Sequence, residues 1–346
     1  MRLRTTRLPI LGILVAALLS VSGTRATTPQ FVDVAPGVVA ALQPQANRFN
    51  DSNVTILIGS EAVMVVDAPT DEEFVRAVIA EVRKRTELPI RYVVNTHWHA
   101  DHTQGNALYL EAFPELTLLG HKSLEETIPG RTQQAHQEQV ERYEEMVPKA
   151  LANLEKGLGL RDQPLDEEQQ KAQAAAIEQA QRWLVENKSF QFITPTVRYH
   201  ERMQIELGGL EVSLLHFKAH TDGDTVLWLP KQKLLITGDM LDDLPYVGHG
   251  FPSSWLEALD ELAGLEASKT IPGHGPIFDG DAQRAKLRDF VAALIASAEG
   301  AESAEQARER FDADDWRKKL AGEDPTGVRF FNAVLGEALE RALSGL

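Results

Sequence analysis

Short apolar runs separated by turn residues fill the first hundred positions of the sequence. These runs predict strands because they hold β-branched and leucine side chains and end near Gly, Asn, Asp or Pro. The predicted strands are residues 38–42, 54–58, 62–67 and 90–95. After the third strand, apolar residues recur three and four positions apart, which predicts a helix with Thr70 and Glu73 as its capping box. The strand–helix–strand order favours a layered α/β fold.

The pattern changes twice in the rest of the chain. Residues 122–190 are rich in Glu, Gln, Ala, Lys and Arg, which predicts a helical insertion with helices at 133–158 and 166–186. Pro148 is expected to kink or split the first of these helices. Strand-forming runs then return and are followed by helical periodicity. The strands are predicted at 204–207, 210–217, 225–229 and 233–237, and the helices at 253–265, 281–298, 303–320 and 327–343.

This order of elements fits two mixed sheets stacked face to face with helices outside. A single doubly wound sheet fits less well because the glycine-rich Rossmann fingerprint is missing. We therefore predict one α/β domain over residues 27–346, with the helical insertion at 122–190 and a C-terminal helical region at 281–346.

Residues 1–26 have the pattern of a secretory signal peptide. Three arginines within the first seven residues precede an apolar stretch from Leu8 to Val21, and small residues follow at the cleavage positions. The stretch is short for a membrane span, although an uncleaved anchor is the alternative. We expect a periplasmic or secreted protein that has no membrane attachment after signal cleavage.

Composition and charge narrow the class of function. The chain has 346 residues, with Asp+Glu 51 against Lys+Arg 35 and a net charge of −16. So acidic a chain is a poor non-specific ligand of nucleic acid, and we expect a small-molecule substrate instead. The absence of cysteine excludes disulfides, thiolate zinc sites and cysteine nucleophiles. The oligomeric state stays open.

The candidate chemistry begins directly after the fourth predicted strand. The segment Thr96-His97-Trp98-His99-Ala100-Asp101-His102 holds three imidazoles and a carboxylate within six residues. Imidazole and carboxylate are the ligands that zinc takes when thiolates are absent. Three further candidates lie where a loop leaves a strand or turns between glycines, positions that leave room for a substrate. They are His220, Asp239 and His274.

Seven candidate ligands are too many for one zinc ion but suit two zinc ions per chain. One ion would take His97, His99 and His220, the other would take Asp101, His102 and His274, and Asp239 would bridge them. Such a site lowers the pKa of bound water from 15.7 to about 7. The sequence therefore predicts a metal-bound hydroxide as nucleophile, with Asp101 and Asp239 as the catalytic carboxylates.

At these residues the chain resembles the metallo-β-lactamase superfamily. The resemblance runs from about Phe31 to Gly280 and includes Asp67 at a strand end, the histidine-rich loop and the three later ligands in the family's order. It implies a four-layer αββα sandwich with a dinuclear metal site in the cleft between the sheets. It also implies that Asp67 is an outer carboxylate that orients a ligand.

The residue at position 239 separates branches of this superfamily. Zinc β-lactamases carry a cysteine or a non-ligand serine there, whereas aspartate is the pattern of hydroxyacylglutathione hydrolases, lactonases and nuclease-like members. We expect hydrolysis of an ester, thioester, lactone or β-lactam carbonyl. Two alternatives stay open: a non-catalytic metal-binding interaction module, and a persulfide dioxygenase with one iron on His97, His220 and Asp239.

Other polar residues have weaker signals. Asp224, close to His220, is expected to be an outer residue that orients that histidine without binding the metal. Tyr246 and His249 are candidate substrate contacts in the loop after Asp239. The remaining histidines have no ligand spacing, and we expect them to be structural. They are His121, His136, His200 and His216.

Overall fold

The computed structural model describes residues 28–345, so the predicted signal peptide at 1–26 lies outside the described residues. The described chain divides into two compact units. The smaller unit is residues 133–191, and the larger unit holds the described residues before and after that segment. Among residues 28–345, no helix is both long enough and apolar enough to cross a bilayer.

The first sheet of the larger unit has seven strands that follow one another in chain order. They are β1 (Gln30–Ala35), β2 (Val38–Leu42), β3 (Val54–Ile58), β4 (Val63–Val66), β5 (Ile90–Val94), β6 (Thr117–His121) and β7 (Val197–Tyr199). The pairs from β1 to β4 are antiparallel, and those from β4 to β7 are parallel. The carboxyl ends of these parallel strands lie at the same end of the sheet, and binding sites are usually found beyond that end.

The second sheet has six strands in the spatial order β13-β12-β11-β10-β9-β8. They are β8 (Arg202–Glu206), β9 (Glu211–Phe217), β10 (Asp224–Leu229), β11 (Leu234–Ile236), β12 (Lys269–Ile271) and β13 (Phe278–Asp279). All neighbours pair antiparallel except β11 and β12. Leu214 lies opposite Leu227 in the β9–β10 register, and both are fully buried.

The helices of the described chain are numbered in chain order. They are α1 (Glu72–Arg85), α2 (Ala100–Thr103), α3 (Asn106–Ala112), α4 (Leu124–Thr127), α5 (Gln133–Leu154), α6 (Glu167–Asn187), α7 (Pro252–Ala263), α8 (Ala282–Ala298), α9 (Ala304–Arg310), α10 (Ala313–Ala321) and α11 (Pro325–Ser344). A π-helical turn at Ile128–Thr132 follows α4, and a 3-10 turn at Gly238–Leu241 follows β11.

Three apolar layers hold the larger unit together. In β4, Met64 and Val66 face the cluster between the sheets, while Val63 and Val65 face the cluster under α1, because successive strand residues point to opposite faces. A third cluster joins the second sheet to α7, α8 and α11, with Trp255 fully buried within it. Helix, sheet, sheet and helix are therefore stacked in four layers, which confirms the predicted αββα class.

The smaller unit is a helical hairpin made of α5 and α6. Val147 and Ala150 on α5 pack with Ile177 and Ala180 on α6 in one apolar cluster. Pro148 does not split α5 as the sequence suggested. The residues on both sides of this proline contact the same partner helix, so tertiary packing holds the two halves of α5 in one continuous element.

Two local predictions are wrong at helix ends. Helix α1 is capped by Asp71 and not by Thr70, because the Asp71 carboxylate accepts hydrogen bonds from the amides of Glu73 and Phe74. The helix predicted over 303–320 is two helices. Its break comes at Asp312, whose carboxylate accepts from the amide of Asp315 and starts α10 afresh.

His121 and His216 form a stacked pair outside the metal-ligand motif. Their ring centroids are 3.7 Å apart and their planes 6° apart, although β6 and β9 belong to different sheets. His121 Nδ1 lies 2.9 Å from Ser123 Oγ, and His216 Nε2 lies 3.2 Å from the carbonyl oxygen of Asp222. The pair therefore joins the ends of the two sheets.

Acid is expected to weaken the fold through this pair. Burial and the charge of His216 lower the pKa of His121 to about 4, whereas an unfolded histidine titrates near 6.5. Between these two values the unfolded chain binds a proton that the folded chain does not, so the free energy of unfolding falls as pH drops from about 6.5 to about 4. The free energy of unfolding of wild type is expected to fall between pH 7.5 and pH 5. In His121→Gln this fall is expected to be about 1 kcal/mol smaller, after discounting for solvent screening.

Urea unfolding of wild type and variant at the two pH values measures this difference. Lys156→Gln, at an exposed position in the smaller unit, is the control and is expected to keep the wild-type pH dependence. An identical pH dependence in His121→Gln and wild type would show that the stacked pair does not titrate as described.

Candidate metal centre

The histidine-rich motif starts where β5 ends and is tied to the end of β4. The Asp67 carboxylate accepts from the Thr96 amide at 2.7 Å and from the Thr96 hydroxyl at 2.8 Å. Asp67 has a φ of +70°, a left-handed conformation that only special sites hold in a non-glycine residue. The strained turn after β4 thus places a carboxylate beneath the motif.

The seven predicted ligands come together in two adjoining groups. Within each group the ligand atoms all lie within 4.8 Å of one another. The first group, called the 97/99/220 group, is His97, His99 and His220 with Asp239, and the second, called the 101/102/274 group, is Asp101, His102 and His274. The structure therefore brings together residues that are up to 177 positions apart in the sequence.

Asp239 lies between the two groups. Its Oδ2 is 3.6 Å from His97 Nε2 and 3.5 Å from both His220 Nε2 and His274 Nε2. Its Oδ1 is 3.1 Å from His102 Nε2. One carboxylate thus faces ring nitrogens of both groups, which is the position that a bridging ligand requires.

Every histidine of the centre has a partner for its second ring nitrogen. The partners are Asp67 Oδ2 for His102 Nδ1 (2.8 Å), Thr96 Oγ1 for His97 Nδ1 (3.1 Å), the Tyr246 carbonyl for His220 Nδ1 (2.9 Å), the Arg48 carbonyl for His274 Nδ1 (2.9 Å) and His249 Nδ1 for His99 Nε2 (2.9 Å). Such outer bonds orient the rings and select their tautomers. Four Nε2 atoms and the Nδ1 of His99 are left facing the centre.

Several donor atoms of the centre form no hydrogen bond with each other, and metal ions would give them partners. Within the described residues, His97 Nε2, His102 Nε2 and Asp239 Oδ1 are buried and take part in no hydrogen bond. A buried polar atom without a partner costs about 1–3 kcal/mol, which a bound cation would offset. Imidazoles and carboxylates without a thiolate form a donor set that zinc accepts.

Burial and neighbouring charges set the ionisation of the ligands in the centre. Burial lowers the pKa of His97 and His99 well below the usual histidine value and keeps both rings neutral. Burial opposes ionisation of Asp239, but the charges of His102 and His274 outweigh it and hold the pKa of that carboxyl well below its usual range. Neutral imidazole and ionised carboxylate are the forms that ligate a metal. Burial opposes protonation of His102 and His274, but the neighbouring carboxylates, chiefly Asp239, outweigh it and raise the pKa of both rings well above the usual histidine value, so zinc would displace a proton from each.

A loop that the sequence identified only as a turn supports the centre from one side. The Asn53 side chain donates to the carbonyls of Pro272 (3.1 Å) and Gly275 (3.0 Å), on either side of His274. Ser52 Oγ donates to the Asp101 carbonyl at 2.5 Å. The short polar run at residues 50–53 is the one signal in the sequence, and turn composition alone does not distinguish it from a surface loop.

The other predicted residues contact ligand histidines or the loops that carry them. Asp224 accepts from the amide and hydroxyl of Thr221 and from the amide of Ala219, which fixes the loop that carries His220; burial raises its pKa to about 8. Tyr246 and His249, predicted as substrate contacts, also hold ring nitrogens of ligands, Tyr246 that of His220 through its carbonyl and His249 that of His99 through its ring. Their contact with substrate stays a prediction.

Comparison with known proteins gives one family and several distant relatives. A sequence model of the metallo-β-lactamase superfamily matches residues 47–274. A linear primary-alkylsulfatase of Pseudomonas sp. (strain ATCC 19151) is 28% identical over 233 residues, which cover 62% of this chain and 40% of the relative. A probable hydroxyacylglutathione hydrolase of Schizosaccharomyces pombe is 39% identical over 59 residues, 17% of this chain and 23% of the relative. Each alignment thus spans less than half of the curated relative.

Solved structures match the sandwich. A metallo-β-lactamase from Pontibacter korlensis superimposes with a TM-score of 0.50 at 15% identity, covering 77% of this chain and 99% of that chain. The DIM-1 metallo-β-lactamase gives a TM-score of 0.50 at 17% identity, covering 77% and 97%. At such low identity the likeness concerns the fold alone.

Proposed function

We propose that this chain, which belongs to the metallo-β-lactamase superfamily, is a metal-dependent hydrolase that uses two zinc ions to cleave an ester-type bond. The observation that carries the proposal is the position of Asp239, whose carboxylate lies within 3.6 Å of ring nitrogens in both ligand groups. A single ion on His97, His220 and Asp239 would leave the 101/102/274 group without a role, so the geometry favours two ions over the one-iron alternative.

The two carboxylates of the centre, Asp101 and Asp239, have different roles in the proposed reaction. Zinc, when bound, supplies a Lewis acid that lowers the pKa of water and stabilises negative charge on a substrate oxygen. Asp101 is the more accessible carboxylate, with 23% of its side chain exposed against 7% for Asp239. Asp101 Oδ2 faces the ring nitrogens of His102 and His274. We therefore assign to the other oxygen of that carboxylate the acceptance of a proton from the attacking water, and to Asp239 the bridging of the two groups.

Two arginines lie near His249, the residue that contacts His99, although the chain is acidic overall. Burial lowers the pKa of His249, and the charges of Arg131 and Arg341 act in the same direction while Glu337 opposes them. The Arg131 guanidinium also lies over the Trp98 ring, 5.6 Å from its centroid, between two ligand histidines in the sequence. Two cations near His249, opposed by the Glu337 carboxylate, would suit a substrate that carries a negative group.

A sulfate ester is the substrate class that these observations favour first. A monoalkyl sulfate carries one negative charge, which suits the two arginines near His249, and the chain is 28% identical over 233 residues to a relative named for linear primary alkyl sulfates. Carboxylic esters and thioesters follow, since aspartate at position 239 resembles the hydroxyacylglutathione hydrolases. Export through the predicted signal peptide at 1–26 is part of the same proposal and places the enzyme in the periplasm or outside the cell.

A substrate panel on zinc-loaded protein tests the proposed function. We expect about two zinc ions per chain and turnover of a linear alkyl sulfate, or else of a carboxylic ester, thioester, lactone or the chromogenic β-lactam nitrocefin. His97→Ala is expected to lose zinc and turnover together, while His200→Ala, at an exposed position outside the centre, keeps both. Zinc far below two per chain, with unchanged turnover in His97→Ala, would refute the proposal.

A further inference from the structure

We infer that the last helix, α11 with its cap residue Asp324, positions metal ligands in both groups of the centre. The inference rests on the proposed function because it concerns how tightly the centre binds zinc. Helix α11 lies beyond residue 274, where the match to the superfamily ends. Three of its polar contacts lead to histidine ligands, each through one intervening residue or loop.

The first contact supports His274. Asp324 caps the helix by accepting from the amides of Thr326 and Gly327, and its Oδ2 also lies 2.5 Å from the buried Arg48 guanidinium. The Arg48 carbonyl accepts the hydrogen bond from His274 Nδ1 at 2.9 Å. Phe330 of the helix stacks on Phe49 at 4.8 Å, which holds the same loop by a second contact.

The second contact supports His220 in the other group. Glu337 Oε2 accepts from the Tyr246 hydroxyl at 2.7 Å, and the Tyr246 carbonyl accepts from His220 Nδ1 at 2.9 Å. A side chain at position 248 would collide with both partners, since a Cβ there would lie 2.4 Å from the Tyr246 hydroxyl and 2.7 Å from Glu337 Oε2. The loop is therefore shaped around this bond.

The third contact reaches the loop that supports His99. Arg341 donates through Nε to the Gly250 carbonyl and lies over the Phe251 ring. Gly250 follows His249, whose Nδ1 faces His99 Nε2 at 2.9 Å. The Arg341 contact therefore restrains the chain directly after the residue that orients His99.

Helix α11 is suited to this role because it is rigid and firmly packed. Asp324 and Glu337 are 13 residues apart, about 20 Å along a helix. Between and beyond them Phe331, Leu335 and Leu339 are buried in the cluster with the second sheet. The apolar face fixes the helix, and the polar contacts transmit that position to two loops that hold ring nitrogens.

Zinc titration of single variants tests the Asp324 and Glu337 contacts separately. Titration of the full chain with Zn²⁺ against a competing chelator is expected to give two binding constants, and His220→Ala and His274→Ala assign each constant to one group. Asp324→Asn keeps a capping side chain but loses the charge facing Arg48, and is expected to weaken the constant of the 101/102/274 group by about tenfold. Glu337→Gln is expected to weaken the 97/99/220 constant by about tenfold instead.

Matched controls separate positioning from general loss of stability. Asp312→Asn changes the cap of α10, and Glu340→Gln changes an exposed glutamate of α11; both are expected to leave the two constants within about twofold of wild type. Tyr246→Phe, which keeps the carbonyl but removes the hydroxyl, is expected to reproduce Glu337→Gln. Arg48→Lys serves in place of Asp324→Asn should that variant not fold.

The possible outcomes distinguish this inference from the proposed function. The positioning role is supported if Asp324→Asn weakens only the constant of the 101/102/274 group and Glu337→Gln weakens only that of the 97/99/220 group. Two wild-type constants that neither variant changes, or that both variants change equally, would overturn the inference and leave the proposed function intact. A wild-type chain that binds fewer than two zinc ions would overturn both.

Discussion

Asp239→Asn is expected to reduce kcat/KM by at least about a hundredfold and to reduce bound zinc from about two ions per chain towards one. The substitution keeps the shape of the side chain but removes its negative charge. Asparagine offers one oxygen where the carboxylate offers two. In Asp239 both oxygens face ligand nitrogens, Oδ2 those of His97, His220 and His274 and Oδ1 that of His102. Loss of an outer partner of a metal ligand already costs about 10–100-fold, so loss of the bridge is expected to cost more.

Metal analysis and steady-state kinetics on the same preparation measure this effect. Asp260→Asn is the matched control, since Asp260 lies on α7 and its carboxylate pairs with Arg288 on the surface. That variant is expected to keep wild-type turnover and zinc. Full zinc occupancy with full activity in Asp239→Asn would show that Asp239 neither takes part in the reaction nor is needed to bridge the two ions.

Zinc is expected to stabilise the folded chain strongly. A ligand that binds only the folded state adds about 4 kcal/mol per site to the free energy of unfolding when its concentration is a thousand times its Kd. The centre is prepared for this gain because buried His97 Nε2, His102 Nε2 and Asp239 Oδ1 have no hydrogen bond among the described residues. Bound cations would give these atoms partners and offset the repulsion among the rings.

Urea unfolding with saturating Zn²⁺, and again after removal of metal by a chelator, measures this gain. The unfolding midpoint is expected to rise with zinc concentration in wild type and in Asp260→Asn, and to rise less in Asp239→Asn. Mg²⁺ controls for ionic effects, since it prefers oxygen ligands and leaves imidazole-rich sites. Equal midpoints with and without zinc would contradict the ligand assignment.

Elements that carry a local signal could be predicted from the sequence. Strands β2 and β3 were predicted to the residue because their β-branched runs are buried and bounded by clear turns. The ligands of the histidine-rich motif were predictable because four of them lie within six residues. Strands β1, β6, β7, β12 and β13 were missed. Three of them, β7, β12 and β13, have three residues or fewer, which is too short for an alternating pattern to be recognised.

The outer partners of the ligands could not be predicted for a different reason. His274 is held by a backbone carbonyl 226 residues away, at Arg48, and any residue type at that position would present the same oxygen. His220 likewise depends on the carbonyl of Tyr246. Such bonds depend on the path of the backbone after the sheets have stacked, which side-chain patterns do not encode.

The wide spacing of the ligands along the chain has a consequence for the order of folding. His97, His99, Asp101 and His102 are neighbours in a loop of the first sheet, whereas His220, Asp239 and His274 arrive only with the second. Closing loops of more than a hundred residues is entropically costly and slow. An intermediate with only the first sheet holds four ligands and no bridge, so it retains zinc loosely. Tight binding of zinc therefore indicates that the second sheet has docked. The rate at which bound zinc becomes resistant to exchange during refolding measures the rate of that last step.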